Sequence, residues 1–290
     1  MELQNLQAFI SVSETGSFSK AAEKLFITQP AVSKRISSLE QQLNVRLFDR
    51  IGKTVQLTEA GAALLPGSRR ILAELEESRR IISNLSGHVS GPLKLGTSHH
   101  IGLHRLPEVL RSYIQQYPAV DLDIHFMDSE EALEAVHKGE LEIAIATLPE
   151  KPLQNLTTEI IWHDPLTIAV GNLHPLAGQK SLKLKDLMIY PAILPSQSTF
   201  TRALLEKTFG INTGMLKIAM ETNYLETIKM LVSIGLGWSV LPLSMCDDNL
   251  IGLDVNGMHM ERQLGVAYHQ ERTLSNAART LLDELRQHAK

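Results

Sequence analysis

Residues 28–50, TQPAVSKRISSLEQQLNVRLFDR, change their repeat period within a few positions, and this limits what can be built from them. Val32, Ile36, Leu39 and Leu43 recur at i, i+4, i+7 and i+11, which is the core-facing stripe of a helix. Thr28 is placed to cap that helix, and Pro30 falls in its first turn, where a missing N–H costs little. The opposite side carries Gln29, Ser33 and Ser37 on one line, with Lys34 beside it. After Asn44 the pattern becomes VRLFDR, IGK and TVQLT, two alternating runs about a glycine-containing turn, which predicts a β-hairpin bearing Arg46, Arg50 and Lys53. Upstream, Leu3, Leu6, Phe9 and Ile10 predict a helix over Leu3 to Glu14 that stops at Gly16. Ser19 is expected to cap a second, short helix, KAAEKL.

Short side chains that both donate and accept hydrogen bonds let a helix lie close to a polar surface. A DNA major groove admits a helix and offers such donors and acceptors, with Gln suited to adenine and Lys to guanine or phosphate. A basic hairpin beside it would lie on the backbone or in the minor groove. Charge agrees in direction: residues 1–58 hold seven Lys/Arg and five Asp/Glu, a net of +2, while the remainder holds 21 and 27, a net of −6. A small helical bundle with a solvated basic hairpin satisfies the same pattern.

The rest of the chain sets further bounds. At 290 residues it suits two or three domains, and 43% apolar with 21% charged residues is ordinary for a globular core. No apolar run approaches the roughly 20 residues that span a bilayer. MELQNLQAFISVSE lacks a basic n-region and a small-residue cleavage site, so no signal peptide is expected. The single cysteine, Cys246, rules out an internal disulfide and fits a reducing cytoplasm; a buried or incidental thiol is expected there.

From Thr58 to Leu85 one long helix is predicted, with Leu64, Ile71, Leu75, Ile82 and Leu85 at alternating 4–3 positions whose gaps Ser68 and Ser78 fill, a coiled-coil-like seam. Pro66 and Gly67 should weaken its first turns. SGHVSGP then marks a boundary near Gly87 to Pro92. Beyond it LKLGTS, LPEVLRSYIQQYP, VDLDIHF, SEEALEAVHKG and EIAIAT alternate strand and helix patterns, implying a mostly parallel sheet with crossover helices. PLTIAVG opens a comparable second half, and LGVAYHQE with SNAARTLLDELRQHA is expected to return to the first, giving two lobes joined by two crossings.

The run from AFISVSETGSFSKAAEKL through TQPAVSKRISSLE, LFDR and LTEAG resembles the winged helix-turn-helix of LysR-type transcriptional regulators. GPLKLGTS, GELEIAIAT, HPLA and GLGWSVLP are similar to that family's effector domain, so the resemblance extends over essentially the whole chain. It implies an α/β protein: a winged helix-turn-helix over residues 1–58, a linker helix over 59–88, and a two-lobed domain with a type 2 periplasmic-binding-protein-like fold over 89–290. Lobe 1 would take about 89–163 with 267–290, and lobe 2 about 164–266. The resemblance carries DNA contacts onto Gln29, Pro30, Ser33, Lys34, Arg50 and Lys53. It implies a homodimer paired through the linker helix, assembly to a homotetramer, an encounter with RNA polymerase, and no membrane.

In such a fold ligands sit at strand carboxyl ends between the lobes. That places Thr97, Ser98, His99 and His100 at the first strand's end and Thr147 at the third's, facing a hydroxyl-rich loop of Ser196, Ser198, Thr199 and Thr201. TSHH and IAT resemble the cysteine-biosynthesis branch of the family, which implies a sulfur oxyanion held by Ser98, His100, Thr147 and Thr199; those relatives carry threonine where this chain has His100. An organic carboxylate is the alternative effector. His99 and His100, read as neighbours on an extended segment, would point oppositely, and no third ligand stands at metal spacing, so no metal or cofactor is expected. No GxSxG, P-loop, HExxH or GxGxxG occurs in a suitable context, so no catalytic activity is expected. A cytoplasmic binding protein or enzyme with a dimerising head is the rival reading.

Overall fold

A computed structural model describes residues 1–51, 54–210, 215–256 and 258–289. The chain divides into two compact units, Met1–Ser86 and Gly87–Lys290.

In the first unit α1 (Leu3–Thr15), α2 (Phe18–Lys24) and α3 (Gln29–Leu43) precede a hairpin of β1 (Phe48–Ile51) and β2 (Thr54–Leu57), and α4 (Glu59–Asn84) follows. Phe9, Val12, Val32, Ile36, Leu39 and Leu47 form its core, so the predicted stripe of α3 faces inward. Gly16 ends α1 in a left-handed conformation, which a residue without a Cβ adopts at no steric cost. Two capping expectations are corrected. Ser17, not Ser19, caps α2 by accepting from Lys20 N–H, because the helix begins two residues earlier than the alanines suggest. Thr28 occupies the N-cap of α3 but its side chain makes no capping bond. Pro66 lies within α4, and the helix runs on through it. Ile71, Ile81, Ile82 and Leu85 are exposed along that helix, whereas Ser68 and Ala73 are buried.

The second unit is a seven-stranded sheet in the order β10-β6-β11-β5-β3-β4, with β9 also on β6. β3 (Gly91–Thr97), β4 (Val120–Phe126) and β5 (Ile143–Thr147) are parallel, as expected of strands joined by crossover helices. The remainder differs from the expected mostly parallel sheet. β6 (Leu156–Gly171) and β11 (Met260–His269) run antiparallel to each other, and β9 (Ser239–Pro242) and β10 (Leu250–Leu253) run antiparallel to β6. β7 (Ala192–Leu194) and β8 (Ile218–Glu221) form a separate parallel pair.

β5 shows how the sequence selects its packing. Ile143 and Ile145 face the core shared with α6 (Leu106–Gln116) and α11 (Asn276–Gln287). Ala144 and Ala146, on the other face, let α7 (Ser129–Lys138) approach closely. The second lobe is centred on Trp238, fully buried with its indole N–H donating to the Leu187 carbonyl at 3.0 Å.

β6 and β11 are the two crossings. The first part of β6 pairs with β11 alone, and its last part pairs with β9 and β10 in the second lobe. β11 already pairs with β5 from Leu264, ahead of the return expected at residue 267. Its register against β6 shifts at a bulge between Leu264 and Gly265. A Cβ on Gly265 would stand 2.1 Å from the Glu159 carbonyl oxygen, a backbone atom that can yield only by moving β6. Gly265→Ala should therefore destabilise the full chain by about 1–3 kcal/mol, read as a lower midpoint in urea. An unchanged midpoint would show that the bulge tolerates a side chain.

Candidate functional site

α5 (His99–His104) starts at the carboxyl end of β3, where Ser98 caps it by accepting from Ile101 N–H at 3.4 Å. α9 (Phe200–Phe209) starts opposite, in the second lobe, with Thr199 as its cap. Between them lies a cavity of about 50 Å³ whose walls include Ser98, His99, His100, Thr147 and Thr199. Those five of the expected effector residues come together. Thr97 is fully buried and outside the lining, its hydroxyl turned to the Ser98 carbonyl at 3.5 Å. Ser198 is exposed and also outside the lining. The Thr199 hydroxyl is already occupied, donating to the Ser196 carbonyl at 2.8 Å and accepting from Arg202 N–H at 3.2 Å.

The most heavily constrained group in the cleft escaped the sequence reading. Arg262 projects from β11 directly opposite Asp164 on β6, where both strands pass between the lobes. Its Nε donates to Asp164 Oδ2 at 3.0 Å, its Nη2 makes a second, shorter bond to the same oxygen, and its Nη1 donates to Thr201 Oγ at 3.2 Å. Asp164 is only 1% exposed and Arg262 7%. Arg105 stands 3.7 Å from the other Asp164 oxygen, so removing Asp164 strands the Arg262 charge, whereas Asp164 keeps one cation nearby without Arg262. The signal was present: Arg262 alternates with Met260 and Leu264, and Asp164 with Trp162 and Leu166, so opposite charges occupy two inward-facing strand positions.

The walls also bind lobe to lobe. Asn223 Nδ2 donates to Asp128 Oδ2, and the backbone N–H of Phe200 donates to Glu130 Oε1. Burial pushes the Glu130 carboxyl up from its ordinary value. His99 sits edge-on to Tyr224, with ring centroids 4.7 Å apart. Burial, helped by the nearby Arg262 charge, pushes His100 down to about 4, so its ring is neutral at pH 7. The expectation that His99 and His100 lie on an extended segment is corrected: both belong to the first turn of α5. His100 therefore shares a face with His104 one turn on, and with Glu226 of α10 (Leu225–Ser233) these are the described residues that could hold a metal ion. Cys246 is half-buried, and desolvation raises its thiol pKa.

In the first unit, Gln29, Pro30, Lys34 and Ser37 are exposed on α3 and Ser33 is half-buried. Gln29 Nε2 donates to Ser33 Oγ at 3.0 Å, so the outward edge is pre-ordered as a polar line. Arg35 turns away, donating to Gln4 on α1 at 3.0 Å. Arg50 lies in β1, pairing with Val55 through the backbone. Lys53 and the Arg50 side chain lie outside the described residues. Among the described residues no helix is long and apolar enough to cross a membrane.

Residues 3–62 match the model of the bacterial regulatory helix-turn-helix protein, lysR family, and residues 86–290 match the LysR substrate binding domain. The HTH-type transcriptional activator CmpR of Synechocystis sp. is 32% identical over 293 residues, covering 99% of this chain and 95% of that protein. A full-length OxyR variant from Pseudomonas aeruginosa superposes with a TM-score of 0.69 at 23% identity, over 99% of this chain and 98% of that one. CbnR, solved in complex with its target DNA, superposes with a TM-score of 0.64 at 23% identity, over the whole of both chains. These matches name regulators rather than enzymes, and the chain belongs to the LysR family of DNA-binding transcriptional regulators with an effector-binding domain.

Proposed function

We propose that this regulator reads an operator with the outward edge of α3 and is controlled by a small anion held between the lobes of its second unit. The observation that carries the first half is the division of α3: Val32, Ile36 and Leu39 are buried while Gln29, Pro30 and Lys34 stand in solvent beside Ser33. Residues so placed meet base edges and phosphates, with Gln29 and Ser33 as donors and acceptors and Lys34 as a cation. Arg50 and Lys53 would add backbone contacts from the hairpin. One short helix binds weakly, so two copies are required, paired through α4, whose exposed Ile71, Ile82 and Leu85 belong to the 4–3 seam. A homotetramer engaging RNA polymerase in a reducing cytoplasm completes this reading.

The cleft's size and donors support a small anion. A cavity of 50 Å³ holds only a few heavy atoms, since a single water needs roughly 10–15 Å³. Because Thr201 accepts from Arg262, its own hydroxyl proton is left to donate. The two carboxylates in the wall, Asp128 and Glu130, are each hydrogen-bonded across the lobes. A sulfur oxyanion such as sulfate or sulfite matches a space of this size. An organic carboxylate, which would extend into the neighbouring cavity of about 440 Å³ that shares Thr147 and Arg262, is the alternative effector. Since both lobes contribute, the ligand would favour the closed arrangement and bias how the heads meet DNA.

In gel shifts on the chain's own upstream region, Ser33→Ala with Lys34→Ala should weaken specific binding by at least tenfold, since a good base contact is worth about 1–3 kcal/mol. Retardation by no upstream sequence, or equal retardation by the double variant, overturns the DNA-reading assignment. In thermal melts sulfate, sulfite or thiosulfate should raise the midpoint, and Thr201→Val should abolish that rise. A rise with carboxylates alone excludes the oxyanion. Asp164→Asn, which strands the Arg262 charge, should cost about 3–5 kcal/mol of stability by urea denaturation, and a loss below about 1 kcal/mol would show that the pair is not structural.

A further inference from the structure

At the mouth of the cleft two imidazoles and a carboxylate converge from different lobes. His100 and His104 stand one turn apart on α5, with ring centroids 4.8 Å apart and planes at 45°. Glu226, in the first turn of α10, places Oε1 2.6 Å from His104 Nε2. One donor atom from each of the three lies within 4.8 Å of the other two. Donors on a tetrahedral centre with bonds of about 2.0–2.2 Å stand roughly 3.4 Å apart. Reaching that spacing takes a rotamer adjustment of His104 and Glu226, both about half exposed, in which their direct contact opens to admit the ion.

A lobe-to-lobe ion pair between His104 and Glu226 would account for two of these groups but not the third. His100 is only 8% exposed, and its Nδ1 is buried with no hydrogen-bond partner among the described residues. An unsatisfied ring nitrogen that deep is costly unless something answers it. Histidines at i and i+4 present their rings side by side, the spacing by which helices grip metal ions.

We propose that His100, His104 and Glu226 bind a borderline divalent transition cation of the zinc class, and that this ion clasps the two lobes together. Two imidazoles and one carboxylate are a donor set suited to Zn²⁺, with a fourth position open to water or to a ligand's donor atom; Mg²⁺ and Ca²⁺ prefer all-oxygen shells. Because α5 belongs to the first lobe and α10 to the second, the complete donor set exists only when the lobes are closed. Cation binding is therefore coupled to closure, whatever anion occupies the cavity.

The test uses the full chain stripped with chelator, titrated with Zn²⁺ by calorimetry and with Co²⁺ by its visible absorption, with Mg²⁺ as control. The expected result is one saturable Zn²⁺ site per chain and intense tetrahedral Co²⁺ bands. His104→Ala and Glu226→Gln should each weaken Zn²⁺ binding at least tenfold and remove the bands. His125→Ala, which removes an exposed histidine paired with Asp123 on β4, should change neither. Glu226→Gln keeps the side chain's shape, and metal-free melts establish that each variant folds. No saturable binding, or binding of equal strength in wild type, His104→Ala and Glu226→Gln, overturns the assignment. DNA retardation and anion-induced melting shifts, measured in chelator, report separately on the regulator reading.

Discussion

The effector unit is organised around one buried ion pair. Asp164 and Arg262 face each other across the two strands that pass between lobes, and the Arg262 charge depends on Asp164 to be buried there. Their pairing fixes the register of β6 against β11 at the crossing and directs the third Arg262 donor to Thr201 on α9. The helix that forms one wall of the cleft is thereby tied to the strands that carry both lobes. Cavity shape, lobe position and strand register are thus a single problem, solved by two charged side chains that a purely apolar core would not have needed.

The first unit solves a different problem with one helix. α3 is apolar on one side, which holds a small core, and polar on the other, which faces solvent. The polar side uses short residues, and the internal bond from Gln29 to Ser33 limits the freedom that would be lost on contact. Phe26, 97% exposed and in a left-handed conformation, sits in the tight connection between α2 and α3. Its ring contributes nothing to the core, so the structure gives no packing reason for an aromatic there.

Period and punctuation made most of the architecture legible. The stripe of α3, the stop at Gly16, the β3-α-β4-α-β5 alternation and the long linker helix were all readable from spacing. What eluded reading depended on partners distant in sequence. The sheet's antiparallel half is set by β6 and β11, whose pairing spans about a hundred residues and has no local signature. Likewise the expected site residues at strand ends were legible as cleft lining, while Thr97 and Ser198 were not separable from them without knowing which way each side chain turns. His104 and Glu226 illustrate the same limit: the first joins His100 only once the short α5 is known to be helical, and the second arrives from the other lobe. Asp164 and Arg262 were legible in principle, as charges in an inward register, but only to a reading that had already paired the strands.

β6 is one uninterrupted strand of 16 residues that serves both lobes, and β11 lies hydrogen-bonded against it throughout the crossing. A pair of free loops could swing like a door on pins. A two-stranded ribbon is not free in that way: its strands are hydrogen-bonded to each other and share one right-handed twist. The lobes are therefore joined by a ladder of backbone hydrogen bonds, and a change in their relative position is shared among the peptide units of both strands.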